Sequence, residues 1–156
     1  MSGLPGSGKD TWIAQHLPEL QQISLDAIRE ESGAEQTGNQ GAVVQAAREK
    51  ARGFLRAGEN FVWNATNLSR EIRTQVIDLL VAYEACVRIV YVEAGRDVFL
   101  GHNRSRNAVV PVSAIERMMD RWEVPDPTEA LEVEWWVNGE SLRPEPGWLK
   151  GMRPSP

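Results

Sequence analysis

The sequence predicts an α/β fold: a parallel sheet with helices on both faces. Three observations predict it. Short apolar or β-branched runs at 21–25, 61–63 and 86–92 alternate with segments of helical periodicity. Strands joined through helices run parallel, and a parallel sheet needs cover on both faces. A glycine-rich loop at the start of the chain leads directly into the first helical segment. The 156 residues, 42% apolar and 25% charged, suit one domain over 1–156 with a real core.

Residues 1–8 form the glycine-rich loop, and 9–17 read as a helix stopped near Pro18. Residues 21–25 form a short strand with Asp26 at its carboxyl end. Residues 31–41 are polar and punctuated by glycine, which predicts a connection. Val43, Ala47, Ala51, Phe54 and Leu55 recur at helical spacing, placing a helix over 42–57 that Gly58 ends. Residues 61–63 form a buried strand. Ile72, Val76, Leu79, Leu80 and Tyr83 mark the next amphipathic helix. Residues 86–92 read as a core strand with Cys86 buried in it. Helices follow at 96–104 and at 112–122, the latter with Pro111 at its start. Residues 131–137 form a last strand, and an irregular tail rich in Gly, Pro and Trp occupies about 138–156. One element is missing. A loop of this kind normally follows a buried strand, yet only Met1 and Ser2 precede Gly3. The first strand is therefore expected to be truncated, with a gap at the sheet centre.

Composition narrows the function. No run of eighteen apolar residues exists to span a membrane, and no secretion signal opens the chain. A single cysteine cannot form an internal disulfide, and two histidines with one cysteine cannot make a common zinc site. These features point to the cytoplasm. The net charge of −5 argues against a protein that wraps long nucleic acid. It allows an enzyme that grips one strand end with a few arginines.

Gly3-Leu4-Pro5-Gly6-Ser7-Gly8-Lys9 fits the phosphate-binding pattern G-x-x-x-x-G-K. Its glycines let the backbone fold around an anion with N–H groups turned inward. The following helix adds its positive end. Lys9 is placed to neutralise the β- and γ-phosphates of a bound nucleotide. The expected fold is thus of the P-loop NTPase type, and the expected nucleotide contacts are Gly3, Pro5, Gly6, Ser7, Gly8, Lys9, Asp10 and Thr11. Asp10 is a departure. The residue after the lysine usually carries a hydroxyl that binds magnesium. A carboxylate there either holds the metal directly or, by adding charge beside a polyphosphate, lowers nucleotide affinity.

Asp26 and Arg29 lie about one helical turn apart. Phosphoryl transfer to an alcohol needs a base for the hydroxyl proton, which a carboxylate supplies, and an arginine can bind an acceptor phosphate. The competing reading is a helix cap at Asp26 and a solvated Arg29.

At these residues the chain resembles the bacteriophage-type polynucleotide 5′-hydroxyl kinase family of P-loop proteins. Asp26-Ala27-Ile28-Arg29 matches that family's Asp-x-x-Arg, and Thr66-Asn67-Leu68 matches its Thr-Asn-Leu. Asn103-Arg104-Ser105-Arg106 through Val110-Pro111 looks like its arginine-bearing lid, here roughly 101–122. The resemblance covers about 3–122. It implies that Asp26 is the general base and that Arg29 contacts acceptor phosphate. It also implies ATP or another NTP with magnesium as the donor and 5′-hydroxyl RNA or DNA ends, RNA first, as the acceptor. Similar modules in bacterial RNA repair are joined to other catalytic domains, so further repair domains in a longer protein are expected partners. No membrane partner is expected.

The remaining candidates each have two readings. Relatives often place an Asp beside Thr-Asn, where Asn64 and Ala65 stand here. An outer-sphere carboxylate is then absent and Asp10 compensates, or Asn64, Thr66 and Asn67 only cap the following helix. Arg104 is a candidate nucleotide contact and Arg106 a candidate catalytic arginine, stabilising charge on the transferring phosphoryl oxygens; otherwise both are solvated. Arg70 and Arg73 either bind acceptor phosphate or lie on a helix surface. His102 either touches substrate or stands by. Trp135 and Trp136 face opposite ways on a strand, so one belongs to the core and base stacking has little support. Two rival functions remain: a P-loop kinase of a small metabolite alcohol, and a nucleotide-binding module without transfer activity.

Overall fold

The computed structural model describes residues 1–33, 40–105 and 109–142. Its elements are α1 (Lys9–His16), β1 (Gln21–Ser24), α2 (Leu25–Glu31), α3 (Gln40–Ala57), β2 (Phe61–Asn64), α4 (Arg70–Val81), β3 (Arg88–Glu93), α5 (Arg96–Arg104), α6 (Val112–Met119), β4 (Glu132–Val137) and β5 (Glu140–Leu142). The fold is the expected α/β type with parallel strands. β1 pairs with β2 in parallel from Gln21↔Phe61 to Ser24↔Asn64. β3 pairs with β4 in parallel from Arg88↔Glu132 to Glu93↔Val137, and β5 adds an antiparallel edge.

Residues 1–3 stand where the missing first strand belongs. Ser2 makes an isolated parallel bridge to Tyr91, its N–H donating to Val90 O at 2.9 Å and its O accepting from Val92 N at 2.8 Å. On the other side, Gly3 N donates to Thr66 O and the Met1 amino group to Trp63 O, both at 2.9 Å. This short stub links β2 to β3, so the two strand sets act as one sheet around it. It also aims the loop that follows at the carboxyl edge of the strands, where ligands bind in open α/β sheets.

Side chains alternate across the sheet, and the core follows. Val62, Val90 and Val92 pack under Trp12 and Ile13 of α1. Ile23 and Trp63 face Ala47 and Ala51 of α3. Leu4 of the loop joins Phe99 of α5 and Ile115 of α6.

Four expectations need correction. Residues 25–31 are helical, because Ser24 caps α2 by accepting from Ala27 N at 3.3 Å; Asp26 therefore lies in a helix's first turn, not at a strand end. Cys86 is exposed, since it falls in the turn after α4, before β3 starts at Arg88. On α4, Arg73 is buried and Ile72 is 47% exposed, a rotation of the helix driven by an ion pair described below. Residues 138–142 are ordered as a hairpin: Asn138 (φ 52) and Gly139 (φ 84) supply the two positive φ angles of a two-residue turn into β5. The rest of the expected tail, 143–156, lies outside the described residues.

Candidate active site

The phosphate loop is held open by backbone geometry. Gly6 (φ 79) lies so close to α5 that a Cβ on it would sit 2.4 Å from Phe99 O, and one on Gly3 (φ 146) would sit 2.2 Å from Val92 O. Only glycine satisfies both the angle and the approach. Gly8 (φ 100) enters α1, whose first N–H groups lack intrahelical partners and face the loop. Lys9 Nζ donates to Gly3 O and Leu4 O, each at 2.9 Å, arching over the loop it follows. Ser7 Oγ is buried with no partner among the described residues. A buried hydroxyl without a partner is costly, and an anion in the cradle would satisfy it. Pro5 lies buried in the loop and Thr11 lies exposed on α1.

Asp10 is exposed on the first turn of α1, and its Oδ1 accepts from Asn64 Nδ2 at 2.6 Å. The two positions that depart from the usual pattern therefore touch. Among the described residues no three His, Cys, Asp or Glu side chains cluster to hold a metal alone. Magnesium does not need such a cluster, because one or two carboxylates plus substrate phosphates hold it. Asp10 beside the cradle fits that requirement.

Asp26 and Arg29 do come together: Arg29 Nη1 donates to Asp26 Oδ1 at 2.6 Å and Nη2 to Gln40 Oε1 of α3 at 2.9 Å. Arg29 Nε has no partner among the described residues. The pairing Ser24↔Asn64 sets the start of α2 beside the strand end that holds Asp10. The start of α2, with Asp26 in its first turn, and the phosphate loop thus share one edge of the sheet.

Helix α5 forms the other wall. His102 Nδ1 lies 3.1 Å from Gly6 O, a contact the sequence did not disclose. Asn103 is buried, and its amide donates to Val110 O at 2.8 Å and accepts from Val110 N at 3.1 Å. It thereby ties the end of α5 to the approach to α6. Arg104 is exposed on the last turn of α5. Arg106 lies outside the described residues.

Two candidates prove to be structural. Arg73 donates bidentately to Glu129, at 2.6 Å from Nε and 2.9 Å from Nη2, and its Nη1 reaches Asn67 O, Leu68 O and Glu123 O. Both side chains of the pair are 3% exposed, so Arg73 is buried in this network and not presented at the surface. Asn67 (φ 44) is buried, donates to Met1 O at 2.7 Å and accepts at its backbone O from Ser2 Oγ at 3.0 Å. It fastens the stub to the segment that follows β2. Thr66 anchors Gly3 through its carbonyl, and Arg70 is exposed at the start of α4. Trp136 packs against Trp12 and His16, and Trp135 Nε1 donates to Pro125 O. Trp136 is thus the one of the two that packs on the core side.

Residues 1–125 match a protein family described as an AAA domain. No curated protein matches the chain. Among solved structures, a Chloroflexus aurantiacus protein assigned as a kinase is similar at 17% identity and TM-score 0.68, over 88% of this chain and 82% of its own. A sugar kinase from Janibacter sp. HTCC2649, solved without ligand, is similar at 19% identity and TM-score 0.62, over 89% of this chain and 83% of its own. At these identities the likeness is one of fold. No helix among the described residues is long and apolar enough to cross a membrane.

Proposed function

The chain belongs to the AAA domain family, and from that premise we propose that it is a P-loop kinase which transfers the γ-phosphoryl group of ATP, with magnesium, to the 5′-hydroxyl of a polynucleotide end, RNA by preference. The observation that carries the reading is the Asp26–Arg29 pair on α2, set beside the strand end that holds Asp10. It supplies a base for a hydroxyl and a cation for a phosphate on one turn of helix, at the edge where the nucleotide cradle lies.

In this reading the loop from Gly3 to Lys9 cradles the polyphosphate, and Lys9 offsets the negative charge that builds on the β- and γ-phosphate oxygens in the transition state. Asp10, together with the nucleotide phosphates, would hold magnesium, which would supply charge neutralisation there. Asp26 accepts the proton of the 5′-hydroxyl as the oxygen attacks phosphorus. Arg29 holds the phosphate that follows the reacting nucleoside. Arg104 and Arg106 are proposed as lid arginines over the transferring group, and Arg70 as a further contact to acceptor phosphate.

The rival is a kinase of a small alcohol, which the net charge of −5 favours. One experiment separates them. Labelled ATP is supplied with a 5′-hydroxyl oligonucleotide, a nucleoside 3′-phosphate, the bare nucleoside and simple sugars. The proposal expects label on the oligonucleotide and the nucleoside 3′-phosphate well above the other acceptors. Equal labelling of nucleoside and nucleoside 3′-phosphate removes the polynucleotide assignment, and label on sugars alone establishes the rival.

A further inference from the structure

We infer that Asp10 and Asn64 form an exchanged pair: Asp10 takes over as the direct carboxylate ligand of the divalent cation, and Asn64 is the residue that positions it. The inference rests on the nucleotide half of the reading above and not on the identity of the acceptor.

P-loop sites commonly place a hydroxyl after the lysine and a carboxylate at a neighbouring strand end, both serving magnesium. This chain has a carboxylate after Lys9 and an amide at the end of β2. The two changes are not scattered. Asn64 is 7% exposed, its side chain is held at the strand end, and its Nδ2 meets Asp10 Oδ1 at 2.6 Å across 54 residues of sequence. Across the two positions the site keeps one carboxylate, moved from strand to helix.

The contact makes each change depend on the other. With Asp at position 64, two carboxylates would face each other at hydrogen-bond distance, and like charges so placed cannot both remain ionised. With a hydroxyl at position 10 and the amide retained, the pair would offer the cation no carboxylate at all. The amide is the partner that suits an adjacent carboxylate, because it donates without adding charge. By engaging one oxygen it fixes the plane of the carboxylate and so the direction in which the second oxygen is presented. Partners of this kind, behind a metal ligand, typically govern affinity by about 10- to 100-fold.

The test measures Mn²⁺ binding to the protein–ADP complex by electron paramagnetic resonance, with no acceptor present. Thermal melts are run alongside. Asp10→Ser is expected to weaken Mn²⁺ binding by at least about 10-fold, and Asn64→Leu by about 10-fold with ADP affinity in the absence of metal preserved. Asn64→Asp is expected to weaken metal-free ADP binding or to lower the melting temperature. The double variant Asp10→Ser/Asn64→Asp, which restores the commoner arrangement, is expected to recover both the melt and Mn²⁺ affinity to within about threefold of wild type, the non-additivity that marks a coupled pair. Mn²⁺ affinity indifferent to Asp10→Ser, or losses in the double variant that simply add, would overturn the inference while leaving the kinase reading intact. A wild-type protein that binds no nucleotide would sink both.

Discussion

Arg29 Nη1 lies 2.6 Å from Asp26 Oδ1, three residues apart on α2, with the carboxylate side chain 59% exposed and the arginine 19% exposed. With its carboxylate in solvent, the pair adds at most about 1 kcal/mol to stability. On the proposed reading its weight is functional: the base and the phosphate-binding cation would neutralise each other until a substrate phosphate draws on the arginine.

Asp26→Asn keeps the shape of the carboxyl and removes its capacity to take a proton. The rate of transfer is expected to fall by about 10²- to 10⁴-fold, the usual span for a lost general base. ATP affinity should hold, because Asp26 lies on α2 and not in the phosphate loop. Single-turnover kinetics with a nucleotide-binding titration check both. A matched loss of ATP binding would place Asp26 on the nucleotide side instead.

Arg29→Ala should act on the acceptor. Its guanidinium is steadied by Gln40 as well as by Asp26, so Gln40→Ala should give a milder form of the same defect. Both variants are expected to raise the acceptor KM more than they lower kcat, and Arg29→Ala should erase any preference for a 3′-phosphorylated acceptor. Arg29→Lys should not restore it, since an ammonium cannot reproduce the planar two-point grip. A preserved preference in Arg29→Ala would move the phosphate contact elsewhere, with exposed Arg70 the next residue to test.

Arg73 and Glu129 form a buried pair whose energetics differ. Burial acts to raise the pKa of Glu129, but the Arg73 hydrogen bonds, the Asp126 N–H and the nearby charges of Arg73 and Arg70 outweigh it and hold the carboxyl below its ordinary value. The folded protein therefore binds this proton less readily than the unfolded chain. The stabilisation is fully present above the unfolded carboxylate range, about pH 4.3, and is lost as pH falls through the folded value. Glu129→Gln is expected to cost roughly 3–5 kcal/mol at neutral pH, because it leaves a buried cation unpaired. That gap from wild type should narrow below about pH 4.3 in denaturant melts. Arg73→Met/Glu129→Leu removes both buried charges and should recover part of the loss, with Glu123 O left without its arginine donor, and should retain transfer activity. A folded double variant unable to bind acceptor would return Arg73 to the substrate site.

What the sequence disclosed and what it hid divide along range of interaction. The phosphate loop, α5 at Arg96–Arg104 and the Asp26–Arg29 spacing depend on neighbours within a few residues, and local chemistry is readable. Ser24 as the cap of α2 and Asn138-Gly139 as a hairpin turn are equally local signals. The orientation of α4 was not readable. Ile72 and Arg73 differ by about 100° around the helix, and what turns Arg73 inward is Glu129, 56 residues on. The contact of Asn64 with Asp10 and the tie of Asn67 to Met1 are of the same long-range kind. Asn67 shows the cost: a residue matched to a family motif proves to hold the first strand's stub in place.

Lys9 is the sharpest test of the nucleotide site, and the structure changes what its removal should do. The ammonium donates to Gly3 O and Leu4 O at 2.9 Å each, and those two residues are buried. Lys9→Met keeps the aliphatic stem and takes away both donors. Leu4 O keeps the Ser7 N–H, but Gly3 O is left without its donor; a buried carbonyl that loses its partner costs about 1–3 kcal/mol, which corresponds to a fall in melting temperature of several degrees for a chain of this size, at roughly 2–4 °C per kcal/mol. Transfer should fall far more, because the same charge stabilises the moving phosphoryl group. Lys9→Arg separates the two duties. Its guanidinium can donate to the loop carbonyls, so the melting temperature should return toward wild type, while its planar fork does not replace a compact ammonium at the β- and γ-phosphates, so transfer should stay low. Melts and single-turnover rates on the three proteins check the division. Wild-type turnover by a folded Lys9→Met protein would remove the P-loop mechanism, and a melt unchanged by Lys9→Met would mean that the two loop carbonyls do not depend on the lysine.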